Sequence, residues 1–393
     1  MKAAMKKEWQ NQPISAVCEV VNGGTPKTGV TKYWGGVHQW ITPAEMGKRS
    51  SPLVSETERT LTDLGLANSS ASPLPPYSVI LSSRAPIGHL VINTVPMATN
   101  QGCKGLVPGK ALRHKFLYYY LGSIVDLLNA LGTGATFREL SGGKLKEVTI
   151  PVPPLTEQER IVGILDEAFE GIATAKANAE KNLQNARALL ESHLHSVLSQ
   201  YGERWKMEKL DALTDLARGH NPPKSKFSRE HRPGYVRFYQ IRDGGTDDYA
   251  VFVPDSPQLH KMKKDDIMMV AYRHVGRAFR GVEGAFNVAL CKISNTRRDL
   301  LDDDYLFHMI PSPFVKGELL KRSERSLIPS MSIEHLRELR IPLPPLLEQR
   351  RFVKQINKLS KETERLESIY QQKLAALEAL KKSLLHQAFT GQL

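Results

Sequence analysis

Cysteine is scarce in this 393-residue chain: there are three, Cys18, Cys103 and Cys291, far apart and odd in number. That count excludes a disulfide frame and a four-cysteine zinc site. Long apolar runs are missing too. Nothing approaches the ~18 consecutive apolar residues of a membrane span, and the lysine-bearing start, Met1 to Glu8, has no apolar segment behind it to act as a signal peptide. The expected location is therefore a reducing cytoplasm, with no membrane partner. Disorder and collagen-like repetition are excluded by a composition 41% hydrophobic and 24% charged, which is that of a globular protein. Acid is in deficit: 41 Asp plus Glu stand against 54 Lys plus Arg, a formal net charge of +13. Such an excess points to a polyanionic partner, nucleic acid before membrane.

What the chain does have is an internal repeat. Val148 to Val162 reads VTIPVPPLTEQERIV and Leu339 to Val353 reads LRIPLPPLLEQRRFV. Ile150, Pro151, Pro153, Pro154, Leu155, Glu157, Gln158, Arg160 and Val162 recur 191 positions later. The same shift returns Ala188, Leu189, Ser192, Leu194 and His195 as Ala379, Leu380, Ser383, Leu385 and His386, so the two segments have equal length. Upstream the match is fainter, at a shift of 196: Trp9, Gly23 and Pro26 answer to Trp205, Gly219 and Pro222. The chain is two diverged copies of one unit, each a variable domain followed by a constant segment. The boundaries expected are 1–150 and 201–341 for the variable domains and 151–200 and 342–393 for the constant segments.

Each constant segment begins where a proline run stops a strand, and the acid that follows suits the first turn of a long helix. In the second, Phe352, Ile356, Leu359, Thr363, Leu366, Tyr370, Lys373, Leu377, Leu380 and Leu384 step by four and three, a heptad seam with one cationic break at Lys373. In the first, Ile161, Leu165, Ala168, Ile172, Ala175, Ala179 and Ala186 hold the equivalent places. An alanine-rich seam beside one of large residues suits close packing. The expectation is an antiparallel coiled coil relating the copies by an approximate two-fold axis, rather than two amphipathic helices each lying on its own domain.

The variable domains read as α/β (α+β), with short strands, short helices and glycine turns. Gly23-Gly24-Thr25-Pro26, Tyr33-Trp34-Gly35-Gly36 and Trp40-Ile41-Thr42-Pro43 mark the first. In the second, Arg218, Lys224, Lys226, Arg229, Arg232, Arg237 and Arg242 are crowded together with Phe227, Tyr235, Phe238 and Tyr239 interleaved. Basic loops with aromatic and amide neighbours suit phosphate clamping and base-edge contact, although a charge run can equally be solvated surface. Signatures of catalysis fail on inspection. Asn221-Pro222-Pro223 opens like an amino-methyltransferase tetrapeptide, but its fourth residue is Lys224 instead of an aromatic, and no glycine fingerprint for a methyl donor accompanies it. A turn set by two prolines is the better reading. Pro254-Asp255 lacks the acid and lysine that complete a nuclease metal site. Gly142-Gly143-Lys144 is no phosphate loop. His193 and His195, two apart on a helix, cannot share one metal.

Taken together, the paired proline-Leu-x-Glu-Gln segments, the opening Gly23 to Pro43 motifs and the ending Leu385-His386-Gln387-Ala388-Phe389-Thr390-Gly391 resemble the specificity subunit of type I restriction-modification enzymes, over the whole chain. The resemblance implies a non-catalytic subunit with two target-recognition domains, each reading one half of a bipartite asymmetric site in double-stranded DNA. The helical pair would separate them and receive two methyltransferase subunits. No cofactor is implied in this chain: S-adenosylmethionine would serve the methyltransferase, and ATP and Mg the restriction and translocase subunits, in a bacterial or archaeal cell. A specificity subunit of a related system outside type I differs only in its partner, and a catalytic DNA methyltransferase or nuclease is the alternative from another class.

Candidate DNA-contacting residues in the first domain are Lys27, Tyr33, Trp34, His38, Trp40, Arg84, Asn100, Thr136 and Arg138, of which Tyr33, Trp34 and Trp40 are equally core candidates. In the second they are Arg218, His220, Asn221, Lys224, Lys226, Tyr239, Gln240, Arg242, Arg273, His274 and Arg277. Arginine suits guanine through two parallel bonds, and Asn or Gln suits adenine.

Overall fold

The structure, a computed structural model, describes residues 9–134, 138–201, 205–243, 248–323 and 331–393. It divides into two compact units, residues 1–179 with 373–393, and residues 180–372. Two long helices, Leu155–Tyr201 and Leu346–Thr390, each contribute to both units.

In the first unit β1 (Gln10–Pro13) pairs antiparallel with a late strand, and β2 (Cys18–Asn22), β3 (Trp34–Ile41), β4 (Leu53–Val54), β5 (Arg59–Leu61), β6 (Val79–Ser83), β7 (Ile87–Asn93), β8 (Met97–Thr99) and β9 (Cys103–Pro108) build two sheets. Their orders are β2-β9-β6-β7-β4 and β5-β3-β8, and β10 (Thr149–Val152) is the partner of β1. The sequence of β6 shows why it lies in the middle. Val79 and Leu81 point into one buried cluster, with Phe116 and Leu117 of helix His114–Ser123, while Ile80 points into another with Ile41, Val91 and Met97. Alternate residues face opposite sides of a strand, so an uninterrupted apolar run covers both.

The second unit repeats this plan. Its strands are β11 (Lys206–Lys209), β12 (Thr214–Arg218), β13 (Tyr235–Tyr239), β14 (Phe252–Pro254), β15 (Lys261–Met262), β16 (Ile267–Val270), β17 (Ala278–Phe279), β18 (Gly284–Phe286), β19 (Leu290–Asn295) and β20 (Arg340–Leu343). The orders are β12-β19-β16-β17 and β14-β13-β18-β15, with β11 on β20. Ile267 and Met269 face one cluster, Met268 and Val270 the other. Gln10 pairs with Val152 and Lys206 with Leu343, so the sequence shifts of 196 and 191 meet in the same ladder. The parallel pairs also correspond: Trp40 lies opposite Ala98, and Phe238 opposite Ala285.

The repeated Glu-Gln now has a physical account. Of the two prolines ahead of each long helix, the second (Pro154, Pro345) accepts from N–H groups of the first turn, and the carbonyl of the first (Pro153, Pro344) is left for a side chain. Fully buried Gln158 donates through Nε2 to the carbonyls of Ala111 (2.9 Å) and Pro153 (2.8 Å), and its Oε1 accepts from Arg113 N (2.9 Å). Gln349, also fully buried, donates to the carbonyls of Leu300 (2.8 Å) and Pro344 (2.7 Å) and accepts from Asp302 N (2.8 Å).

Both long helices start where the prolines place them, immediately after β10 and β20. In the first unit Arg160 Nη2 donates to the Leu393 carbonyl (2.7 Å) and Lys176 meets Glu378 (2.8 Å), so the helices run antiparallel. Ile161 and Leu165 are buried with Leu385, Ala388 and Phe389, and Phe389 sits edge-on to Phe116 (5.1 Å) and Tyr120 (5.2 Å). In the second unit Arg187 meets Glu367 at 3.3 Å, and Phe352, Val353 and Ile356 join the main core. Ala168, Ile172, Leu359, Leu366, Tyr370 and Leu377 are half-buried along the same rows. The expected seam fails at two places. Lys373 is exposed and Leu374 is half-buried in its stead, and Leu380 is 47% exposed. A cation does lie near the seam, at Lys381, whose ammonium is 5.3 Å from the Phe169 ring.

All three cysteines are buried and free. Burial pushes the Cys18 and Cys103 thiols up to about 12 and the Cys291 thiol to about 11. A shift of three units alone lowers the thiolate fraction by roughly a thousandfold. A thiol reagent at mildly alkaline pH should therefore label none of the three in the native chain over a time in which all three react in denaturant. Rapid labelling of Cys103 in the native state would contradict its placement between the two sheets.

Candidate nucleic-acid interface

In each unit the turn after the first strand of the main sheet is pressed against the turn that enters its neighbour. Gly23 N donates to Cys103 O (3.2 Å) and Gly24 N to Thr99 O (2.8 Å). Gly219 N donates to Leu290 O (3.2 Å) and His220 N to Phe286 O (3.1 Å). A Cβ on Gly23 would collide with the Asn100 carbonyl, and one on Gly219 with the Asn287 carbonyl, so both positions require glycine. These crossings fix the loops that carry most of the sequence-expected site residues.

Around the first crossing, Asn100 Nδ2 donates to Thr25 Oγ1 (2.9 Å), its Oδ1 accepts from Gly102 N (2.8 Å), and Thr25 also bonds Gln101. The amide of Asn100 is thus partly spent on holding the turn. Trp40 is core, 2% exposed, with its indole N–H donating to Gly24 O at 2.9 Å. Half-buried Trp34 lies edge-on to Trp40 with centroids 5.0 Å apart, and Lys27 beside it is exposed. Tyr33 is half-buried, its carbonyl taken by Thr62 N. His38 Nε2 is 2.7 Å from the exposed Asp63 carboxylate. Arg84 lies 3.9 Å from Glu139, next to exposed Arg138, and Thr136 falls outside the described residues.

Around the second crossing, Arg218 is committed to backbone: Nε donates to Val288 O (2.9 Å) and Nη1 to Met331 O (3.1 Å). Asn221 Oδ1 accepts from Val288 N (3.3 Å), and His220 is exposed. Lys224 and Lys226 are exposed on a single turn of 3₁₀ helix that Phe227 fastens to Phe238 (5.3 Å). Tyr239 is 8% exposed and belongs to the core beneath Arg237. Gln240 has a buried Nε2 with no partner among the described residues, and Arg242 is exposed, 5.5 Å from the Tyr249 ring. Arg273, His274 and Arg277, in the turn between β16 and β17, line a cleft of about 520 Å³ with Pro311, Lys316 and Leu320. Arg273 has φ +63°, a conformation that L-residues adopt at a cost.

The structure thus presents an exposed Lys27 beside the Trp34 stack, an exposed Lys224–Lys226 turn and a basic cleft at Arg273 to Arg277, and it withdraws Trp40, Tyr239 and Arg218 into structural roles. Two residues escaped the sequence reading. Arg59 reaches the Trp34 ring, its guanidinium carbon 3.6 Å from the centroid, and Lys316 comes to the arginine cleft from a distant helix. Neither belongs to a charge cluster in sequence, so no local signal marked them. No group of three or more His, Cys, Asp or Glu that could hold a metal occurs among the described residues.

Comparison with known proteins agrees with this duplicated architecture. The sequence model of the type I restriction modification DNA specificity domain matches twice, at residues 6–184 and 202–378. The MjaIX specificity subunit of Methanocaldococcus jannaschii, a type I restriction enzyme subunit, is 24% identical over 363 residues, covering 86% of this chain and 84% of its own. The EcoR124I/EcoR124II specificity subunit of Escherichia coli is 32% identical over 166 residues, 40% of each chain. Among solved structures, one from work on complex assembly of the type I R-M system superposes with a TM-score of 0.82 at 19% identity, covering 99% of both chains. The HsdS subunit of Thermoanaerobacter tengcongensis gives 0.61 at 18% identity over 99% of this chain and 98% of its own. With the family's domain present twice and accounting for most of its length, this chain belongs to the type I restriction-modification DNA specificity family.

Proposed function

We propose that the chain is the non-catalytic specificity subunit of its system, that each recognition domain reads one half of a bipartite asymmetric DNA site, and that the two long helices set the spacer and receive two methyltransferase subunits. The observation that carries the reading is one framework with two sets of loops. Gly23 and Gly219 hold the same crossing, yet what projects beside it is Lys27 with Trp34 and Arg59 in one unit and Lys224, Lys226 and Arg242 in the other. A shared scaffold with unlike side chains at its rim suits two different half-sites. The chemistry would belong to partners: S-adenosylmethionine-dependent methylation in the methyltransferase, and ATP- and Mg-dependent translocation and cleavage in restriction subunits. A cytoplasmic setting fits, and no described helix is long and apolar enough to cross a membrane.

A salt titration tests the DNA contact. If the Lys224–Lys226 turn clamps phosphate, Lys224→Ala with Lys226→Ala should weaken binding to all duplexes alike. It should also flatten the plot of log K against log salt by up to ~2 units, about 0.9 for each phosphate that is no longer neutralised. An unchanged slope would place these lysines on a solvated face.

A further inference from the structure

Trp40, Trp34 and Arg59 form a three-membered cluster that reaches from the core to solvent. Trp40 is fixed by its bond to the Gly24 carbonyl and by burial, and Trp34 stands edge-on against it. Trp34 Nε1 also donates, at 3.4 Å, to the carbonyl of Lys27, which ties the cluster to the glycine turn. The Arg59 guanidinium carbon lies 3.6 Å from the Trp34 ring centroid and 5.5 Å from that of Trp40, so it rests on Trp34 and beside Trp40. Arg59 comes from β5, opposite Trp40 in the ladder, and is exposed. Among the described residues its side-chain N–H groups meet no carboxylate and no carbonyl.

An arginine in this state differs from a surface cation. Stacking on an indole fixes the plane of the guanidinium and removes part of the rotamer freedom that binding would otherwise cost. The N–H fork stays open at its edge. A planar pair of parallel donors on a fixed support matches the O6 and N7 acceptors that guanine shows in the major groove, and a phosphate contact would need neither the plane nor the support. Among the described residues of the second unit no arginine lies this close to an aromatic ring: Arg280 is 4.4 Å from Phe307 but paired with Asp304, Arg237 is 4.5 Å from Tyr239 but bonded to backbone carbonyls, and Arg242 is 5.5 Å from Tyr249. Phe238 occupies the place of Trp40, opposite Ala285, and on its other side its N–H donates to Val251 O (2.8 Å), Val251 lying just before β14 and 7% exposed.

We propose that Arg59, positioned by Trp34, reads a guanine in the half-site recognised by the first domain, and that the second domain has no counterpart to it. This rests on the reading of the chain as a two-part DNA recogniser, and the experiment separates the two. The full-length chain, with its methyltransferase partner where that is needed for tight binding, is used to select bound duplexes from a randomised pool. Arg59→Lys and Arg59→Ala are compared with the unchanged chain. The unchanged chain should show a bipartite preference with a guanine in one half. Both variants should lose that single preference by roughly ten- to a hundredfold, while every position of the other half-site stays as it was. Preservation of the remaining positions of the first half-site shows that the first domain is folded. Arg59→Lys should keep the salt dependence of the parent, because the charge remains.

Retention of the guanine preference in Arg59→Ala, or a uniform loss of affinity on all sequences, would show that Arg59 does not read the base and overturn the proposal, and retention in Arg59→Lys alone would overturn the role given to the stacked plane. Loss of preference at every position of the first half-site would identify it as a folding residue and overturn it too. A bipartite preference with no guanine sensitive to Arg59 sinks the proposal and leaves the two-part reading standing. Absence of any bipartite preference in the unchanged chain sinks both.

Discussion

Gln158→Leu should loosen the first unit by about 2–4 kcal/mol, and Gln349→Leu the second by a similar amount, each leaving the other unit as stable as before. Leucine fills nearly the same volume, so the cost is polar. In the first unit the substitution strands the buried Pro153 carbonyl and takes the partner from the Arg113 N–H and the Ala111 carbonyl, which are part-buried and can turn in part to water. An unsatisfied buried group costs about 1–3 kcal/mol, and here one is stranded in full and two in part. The second unit presents the same arithmetic at Asp302, Leu300 and Pro344. Amide hydrogen exchange measured segment by segment is the suitable readout, because it reports local opening and lets each unit serve as the control for the other. Faster exchange confined to the unit that carries the substitution is the expected result. Equal loosening of both units, or none, would mean that the repeated glutamine does not hold the junction between strand, proline turn and helix.

That junction was the most legible part of the chain, and the physical reason is locality. Proline's lost N–H and fixed φ, an acid in the first turn and a 3.6-residue period all act within a few residues, so Leu155 and Leu346 could be read as helix starts from their neighbours alone. The strand pairings could not. The parallel pair β3 with β8 joins residues nearly sixty positions apart, and it is decided by which apolar faces remain once the rest has packed. Nor could sequence show that Ala388 and Phe389, from the far end of the chain, complete the core of the first unit. The error in the seam is informative. A strict heptad drifts by roughly 20° per repeat against a 3.6-residue helix. A step of four from Tyr370 to Leu374 takes up that drift, leaves Lys373 outside and carries Leu380 to the exposed side.

The candidate site was legible in outline for a related reason. Charge clusters such as Lys224 and Lys226 remain exposed, since burying them would cost more than any contact returns. Aromatic residues gave no such guide: Trp34 and Trp40 are six positions apart on one strand, yet one ends in the core and the other under an arginine. Arg59 was masked by Glu56 and Glu58, which make its stretch of sequence look like mixed solvated surface.

The two copies have also exchanged charge at matched positions. Lys176 and Arg187 of the first long helix correspond to Glu367 and Glu378 of the second, and it is these four that pair, Lys176 with Glu378 and Arg187 with Glu367. Glu159, which meets Arg113 at 2.7 Å, corresponds to Arg350, which meets Asp302 at 3.6 Å. Exposed pairs of this kind add only ~0.2–1 kcal/mol each. Their larger effect is on choice of partner, because either helix packed antiparallel on a copy of itself would set cation against cation or acid against acid. Duplication left two helices able to pair with themselves, and the charges now favour the unlike pair.

Two residues inserted after Ala177 should destroy the assembly, whereas four residues inserted there and after Ala376 should be tolerated. Buried Ile161 and Leu165 precede the point of insertion, and buried Ala179 and Ala186 follow it. Two extra residues turn the following row by roughly 200°, so that its alanines face water and its charged side faces the partner helix. Cooperative unfolding and sequence preference should both be lost, as circular dichroism melts and duplex selection would show. Four residues turn the row by a full turn and about 40° more, which keeps it close to its groove. The matching insertion belongs after Ala376 because Lys176 pairs with Glu378 across the helices, so both lengthen at one level. The added rise is about 6 Å, against ~3.4 Å for each base pair of a duplex. On the reading that these helices set the spacer, both half-site sequences should then be unchanged while the unread stretch between them grows by about one or two base pairs. Methylation mapping or duplex selection reads that length directly, and an unaltered spacer in a folded, sequence-specific four-residue variant would take the ruler away from the helices.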